Sequence, residues 1–404
     1  MQRGEEVGRR RSRKTSRAVF ASYAMTDCGN AERLIDQYGE AMRFCPAMRQ
    51  WFVWNGDQWV ADYGRAVQLA KKTVRSMQQE RNLLLNQAER DPLDFDVFRS
   101  RAEAIAKWAT RSESALRIAS MLRLAESDPR ISVASDDFNK DHWLLNLSNG
   151  TVELKSGSFR EHRPPDLLTK SAGPPYIRGA KCPRWERFLD EVFEPHPELI
   201  PFLQKAVGYT LTGDIREECV FVLVGKGRNG KSTFLRVLHE LLGEYGGIAQ
   251  METFLRTGGR VLREDIADMR GRRLVSAQEP ALTGIFAEAI LKWLSGGDQL
   301  RARRLYEHDQ EFHPTHKLWF AMNRLPTIPS GDVAAWARLR IIPFDVCFNK
   351  MENRQLKYEL HREISGILHW ALSGCLSWQQ NGLGSVPIIG KLTQIERNKN
   401  QVVA

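Results

Sequence analysis

Five apolar residues, Val220 to Val224, run into the string GKGRNGKS at 225–232, and apolar residues at helical spacing follow it. The string fits G-x-x-x-x-G-K-[ST], the phosphate-binding loop of nucleotide hydrolases. Its context is the required one, a buried strand before and a helix after, the latter marked by Phe234, Leu235, Val237, Leu238, Leu241 and Leu242. Glycines allow the backbone to curl so that amide N–H groups surround phosphate oxygens, and the helix starting near Gly230 adds its positive end. In that arrangement Gly225, Lys226, Gly227, Arg228, Asn229, Gly230, Lys231, Ser232 and Thr233 cradle a nucleoside triphosphate. Lys231 reaches the β- and γ-phosphates and the Ser232 hydroxyl ligates Mg²⁺. An α/β fold is the consequence.

Length sets the rest of the frame. At 404 residues the chain exceeds one ordinary core, so two or three domains are expected. No apolar run approaches the length of a membrane span, and the basic N-terminus lacks the apolar segment of a secretory signal. Cys28, Cys45, Cys182, Cys219, Cys347 and Cys375 form no C-x-x-C pair and read as reduced thiols of a cytoplasmic protein. The net charge of +10 suits a polyanionic partner. Seven Lys/Arg against two acids fall in the first twenty residues, so 1–23 reads as a disordered basic tail. Two uses stay open for it: contact with nucleic acid, or simple solvation.

Residues 24–170 read as a smaller α+β domain. Trp51-Phe52-Val53-Trp54-Asn55-Gly56-Asp57-Gln58-Trp59 carries a hairpin signal at Asn55-Gly56, with its tryptophans better suited to a core than to base stacking. Helical periodicity covers 65–127, and a second hairpin with an Asn-Gly turn is expected at 144–154. A Pro/Gly-rich linker and helical segment fill 171–214. The nucleotide-binding core spans 215–348, and 349–404 is a helical segment ending in a polar tail. The one D-x-D string, Asp94-Phe95-Asp96, reads as a charged helix N-terminus rather than a metal site.

A phosphate-binding loop needs an acid on a neighbouring strand. RLVSAQE at 273–279 supplies Glu279 as the water-polarising base, a metal ligand through water, or both. LKWLSGGD at 291–298 then leads into an arginine-rich stretch expected to fold as a hairpin between Arg301 and Trp319. Lys292, Arg303, Arg304 and Lys317 are its candidate DNA contacts. His313 and His316 lack a third ligand and read as surface histidines. KLWFAM at 317–322 is an apolar strand ending in Asn323, placed to sense the γ-phosphate or orient water. Arg338 enters a further apolar strand and could reach a neighbouring subunit's γ-phosphate, with Arg340 in reserve on the same strand face.

These five elements, in this order, resemble superfamily 3 helicases, and specifically the helicase half of the phage and plasmid primase–helicase family that shares a module with the poxvirus NTPase–primase. MTDCGNAERL (25–34) and LLNLSNGTVEL (144–154) resemble that family's preceding domain. The resemblance implies an AAA+-like three-layer core, ATP and Mg²⁺ as cofactors, and a homo-hexameric ring. It also implies translocation on single-stranded or forked DNA with 3′→5′ polarity. Primase activity is not expected from this chain and would fall to a separate primase. The C-terminus is expected to be a truncation of the family pattern. Two other readings remain: a DNA-stimulated ATPase or loader that does not unwind, and a truncated DNA-binding remnant without activity.

Overall fold

The structure is a computed structural model that describes residues 23–256, 263–278, 284–302, 310–328, 332–348 and 353–403. The basic tail, Glu279, Arg303 and Arg304 lie outside the described residues. Contacts divide the chain into two compact units that meet between Phe138 and Asn139.

In the first unit, α1 (Asp27–Tyr38) leads into an antiparallel sheet of β1 (Met42–Cys45), β2 (Gln50–Trp54) and β3 (Trp59–Ala61), followed by α2 (Tyr63–Ala88), α3 (Phe95–Ser112) and α4 (Ala115–Ala125). Thr26, Asp62 and Ser114 cap α1, α2 and α4 by accepting a backbone N–H from inside the first turn. The β2–β3 turn falls at Asn55-Gly56 as its sequence requires: Gly56 takes φ +114°, and Asn55 Oδ1 accepts from the Asp57 and Gln58 amides at 2.9 and 2.8 Å. Trp51 and Trp59 are buried, and Trp51 belongs to the core between this sheet and α1, α2 and α4, so the aromatic cluster is structural. Asp94 takes the N-cap position of α3 and Asp96 its first turn, as expected of a charged helix start.

The second unit begins earlier than the expected boundary at 170. β4 (Leu144–Leu147), β5 (Gly150–Glu153) and β6 (Ser158–Arg160) form their own antiparallel sheet. Leu145, Leu147, Val152 and Leu154 join the apolar cluster on one face of the parallel sheet, which draws this segment into that unit. The β4–β5 turn also differs from expectation. Leu147 pairs with Gly150, so Ser148-Asn149 is the loop and Gly150 opens the strand. There a Cβ would lie 2.4 Å from the Phe159 ring, which excludes a side chain.

After α5 (Pro183–Val192) and α6 (Leu199–Thr210) comes the five-stranded parallel sheet. Its strands are β7 (Val220–Val224), β8 (Gly246–Ile248), β9 (Leu274–Gln278), β12 (Lys317–Met322) and β13 (Leu339–Pro343), in spatial order β13-β7-β12-β9-β8. The intervening elements are α7 (Lys231–Leu242), the short α8 (Arg263–Ala267), α9 (Glu288–Ser295) and the antiparallel pair β10 (Leu300–Ala302) and β11 (Gln310–Phe312), then α10 (Val333–Arg338). The chain ends in α11 (Leu356–Arg362), α12 (Ile364–Asn381) and α13 (Pro387–Val403). The expected hairpin is thus present as its stem, β10–β11, while its tip lies outside the described residues.

The sheet is covered on both faces because its strands are apolar throughout rather than alternating. Phe221, Leu223, Trp319, Ala321, Leu274 and Ile342 point into one cluster with α5, α6, α7 and α12. Val220, Val222, Leu318, Phe320, Val275, Ala277 and Ile341 point into a second with α9 and α10. Alternate residues serving two separate cores give a three-layer α/β fold. The polar tail is a correction: LTQIERNKN is helical, within α13, because Pro387 suits a first turn and Ile389 buries itself in the core.

Candidate functional site

Parallel pairing sets the geometry. β7 lies between β12 and β13, with Val224 beside Met322 on one side and Pro343 on the other. The loop 225–230 therefore leaves the C-terminal edge of the sheet centre, where α/β folds gather ligand groups. Gly225 N donates to Met322 O at 3.3 Å, and Phe344 N donates to Val224 O at 2.8 Å. A Cβ on Gly225 would come within 2.2 Å of the Phe344 carbonyl oxygen, so only glycine permits this approach. Gly230 has φ +92° at the start of α7 and lies against Val192 and Phe188 of α5.

Asn229 is the hub of the loop. Its Nδ2 donates to Phe344 O at 2.8 Å while its Oδ1 accepts from Lys231 Nζ at 2.9 Å. Lys231 Nζ also donates to Gly225 O at 2.5 Å. Lys231 is 6% exposed, and burial holds its pKa below the usual lysine value. Its hydrogen-bond acceptors are neutral oxygens of its own loop, an arrangement that favours an incoming anion over a fixed carboxylate. Outside the loop, Phe348 N donates to Arg228 O at 2.9 Å, so the chain after β13 braces the loop's far side. Sequence reasoning overlooked both Asn229's bridge and this brace. Loop composition signals the asparagine, but nothing in the sequence signals residues 344–348.

A cavity of about 230 Å³ opens beside the lysine, lined by loop residues Gly227 to Thr233 together with Gln278, Ala321, Met322 and Asn323. The structure thus brings Lys231, Ser232, Thr233 and Asn323 together. Lys226 stands in the same loop. Gln278 is an addition: it ends β9 opposite Ala321 and offers an exposed amide where the sequence had drawn attention only to the next residue, Glu279. The glycine cradle, the lysine and the amide-lined cavity fit a triphosphate chain. Among the described residues no group of three His, Cys, Asp or Glu could hold a metal ion by itself. Among the described residues, the Ser232 hydroxyl is the cavity group suited to join phosphate oxygens around a magnesium ion.

The other expected contacts fare differently. Lys317 is 2% exposed; its Nζ donates to the Thr212 carbonyl, and burial together with Arg273 pushes its pKa well below the usual lysine value. It opens an interior strand and cannot touch DNA, which corrects that assignment. His316 is likewise buried, not a surface residue, while His313 is exposed. Lys292 is partly exposed and pairs with Asp332 at 2.8 Å. Arg338 ends α10 rather than standing in a strand, so strand alternation does not place it on one face with Arg340. It pairs with Glu218 at 2.9 Å, and Arg340 donates to Ala337 O at 2.7 Å. Because Leu339 pairs with Val220, Arg338 sits at the N-terminal edge of the sheet, a strand length of about 13–16 Å from its own phosphate loop.

Known proteins agree with this layout. Residues 31–194 match the family described as D5 N terminal like, and 223–338 match a family of unknown function, DUF5906. Two curated relatives are named as putative helicases. That of Acanthamoeba polyphaga mimivirus is 29% identical over 214 residues, covering 52% of this chain and 22% of the relative. That of Invertebrate iridescent virus 6 is 26% identical over 243 residues, covering 57% and 25%. The chain therefore spans about a quarter of the length of these relatives. Among solved structures, the C-terminal region of NrS-1 in its apo A form superposes with a TM-score of 0.53 at 9% identity, covering 90% of this chain and 74% of that one, a likeness of fold. The chain thus carries a segment of the D5 N-terminal type and is similar over about half its length to viral proteins named as putative helicases, on a fold shared with the NrS-1 C-terminal region.

Proposed function

We propose that this chain is the ATP-driven motor of a ring-forming superfamily 3 DNA helicase serving replication of a phage, plasmid or integrated element. The observation that carries the reading is the convergence of Lys231, Ser232, Gln278 and Asn323 on one cavity at the C-terminal edge of a parallel sheet. Lys231 opposes the charge of the β- and γ-phosphates, and backbone amides at the start of α7 surround them. The Ser232 hydroxyl would help hold a magnesium ion, which when bound would supply further charge neutralisation. Asn323 and Gln278 present amides toward the position of the attacking water, whose proton Glu279 is proposed to take. Placement of Arg338 far from its own loop supports action on a neighbouring protomer's γ-phosphate.

The test is hydrolysis and strand displacement on forked DNA, with Lys231→Ala and Arg338→Ala subunits made separately and then mixed. Each variant alone should be inactive in the ring. Mixtures should regain activity, because some interfaces then join an intact loop to an intact arginine. No recovery at any ratio, with ring assembly confirmed by light scattering, overturns the trans-acting arginine. DNA-stimulated hydrolysis without displacement would favour a loader or remodelling ATPase.

A further inference from the structure

The longest helix of the first unit carries an exposed stripe of one character. Arg65, Gln68, Lys72, Arg75, Gln79, Asn82 and Asn86 recur at steps of three and four along α2, and all seven are exposed. Lys71 flanks them, half-buried. The helix has a single acid, Glu80, on the opposite face, where it is buried against Arg33 at 3.1 Å. Arg65, Lys71, Lys72 and Arg75 have no ion-pair partner among the described residues.

A solvated helix face ordinarily mixes both signs in i, i+4 pairs. Its neighbour α3 does so: Arg99 pairs with Glu103 at 3.5 Å, and Asp96 opens the helix. On α2, all three cations of the stripe fall in its first half, with Gln68 among them, and the second half is amides alone, over about 32 Å of helix. We propose that this face of α2 binds single-stranded nucleic acid, with Arg65, Lys72 and Arg75 on phosphates and Gln79, Asn82 and Asn86 on base edges. Cations alone would suit any polyanion. The amides select the strand, since paired donors and acceptors match base edges that an unpaired strand leaves open. The site is separate from the nucleotide cavity and rests on the helicase reading only for the choice of a nucleic acid as partner.

The experiment uses the full chain and fluorescent oligo-dT, with anisotropy recorded over a salt series. Arg65→Ala/Lys72→Ala/Arg75→Ala should flatten the slope of log K against log salt by about 2, at about 0.7 per lost phosphate contact. An α3 control, Arg99→Ala/Lys107→Ala/Arg111→Ala, removes the same charge and should keep the wild-type slope. An unchanged slope in the α2 variant, or an equal change in both variants, overturns the proposal while leaving the helicase reading intact. Failure of the wild type to bind oligo-dT at all overturns both. Should the triple variant misfold by circular dichroism, Lys72→Gln/Arg75→Gln is used, with an expected flattening of about 1.4. Loss of binding to phosphatidylserine vesicles without change on oligo-dT would also overturn it.

Discussion

Two buried lysines stand at opposite edges of the same parallel sheet, and their surroundings give them opposite roles. Among the described residues, Lys231, at the C-terminal edge, donates to oxygens of its own loop and faces a cavity of about 230 Å³. Lys317, at the N-terminal edge, is enclosed: its Nζ meets the Thr212 carbonyl and lies 4.6 Å from the centre of the Tyr209 ring. Arg273, one strand over, is closed in likewise, donating to Leu211 O and Leu144 O at 2.5 Å and stacking on Tyr245. These cations tie the 144–147 strand and the turn after α6 to the bottom of the sheet. Burial of a cation therefore does not by itself mark a site. Open space beside it, with acceptors that an anion can replace, does.

The sharpest break in that comparison is Lys231→Ala. It should lower ATP hydrolysis by at least about 10²–10³-fold, the cost of removing one donor to transition-state charge. The melting temperature should change little, because the amine's partners among the described residues are oxygens of its own loop. Loss of fold in this variant would place Lys231 among the structural cations and erase the distinction.

Lys317→Ala is the mirror experiment. Truncation leaves a cavity and unpaired carbonyls in the interior, for a loss of about 2–4 kcal/mol in urea unfolding. Nucleotide affinity of the folded protein should be unchanged. Lys317→Met keeps the length of the side chain without its polar end and should recover part of the stability. A fall in hydrolysis with unaltered stability would show that the N-terminal edge also serves the chemistry.

This contrast also explains what the sequence could reveal. The apolar runs at 220–224, 274–278 and 317–322 announced buried strands, and the glycine spacing announced the loop, because both signals are local. Lys317 looked like a DNA contact because it follows an arginine-rich stretch. Its true partner, Thr212, is more than a hundred residues away, and no local pattern records such a pairing. Arg338 was placed in the right neighbourhood but on the wrong element, since α10 ends at Arg338 and β13 starts at the very next residue, Leu339. The boundary near 170 failed for a related reason. A Pro/Gly-rich stretch marks a break in regular structure, whereas membership of a core is decided by Leu145 and Val152 finding distant apolar partners.

The smallest effect separates the two edges by pH. His316 immediately precedes Lys317 and is buried with it; desolvation, helped by Lys317, pushes its pKa down to about 3. An unfolded histidine titrates near 6.5, so the unfolded chain takes up a proton that the folded one refuses. The associated stability is complete above about pH 6.5 and is lost as pH falls from there toward 3, at about 1.4 kcal/mol per unit. His316→Leu removes this share, so the stability difference between wild type and variant should shift by about that amount between pH 6 and pH 5 in urea unfolding. His239 and His142 are also held low by burial and contribute with the same sign, leaving a residual slope in the variant. His239 lies on the helix that follows the glycine-rich loop, where its Nε2 meets Ser276 Oγ at 2.6 Å between α7 and β9. If His316→Leu left the slope untouched and a His239 variant removed it, acid sensitivity would belong to the α7–β9 contact, and the N-terminal edge would lose its standing as the fixed end of the sheet.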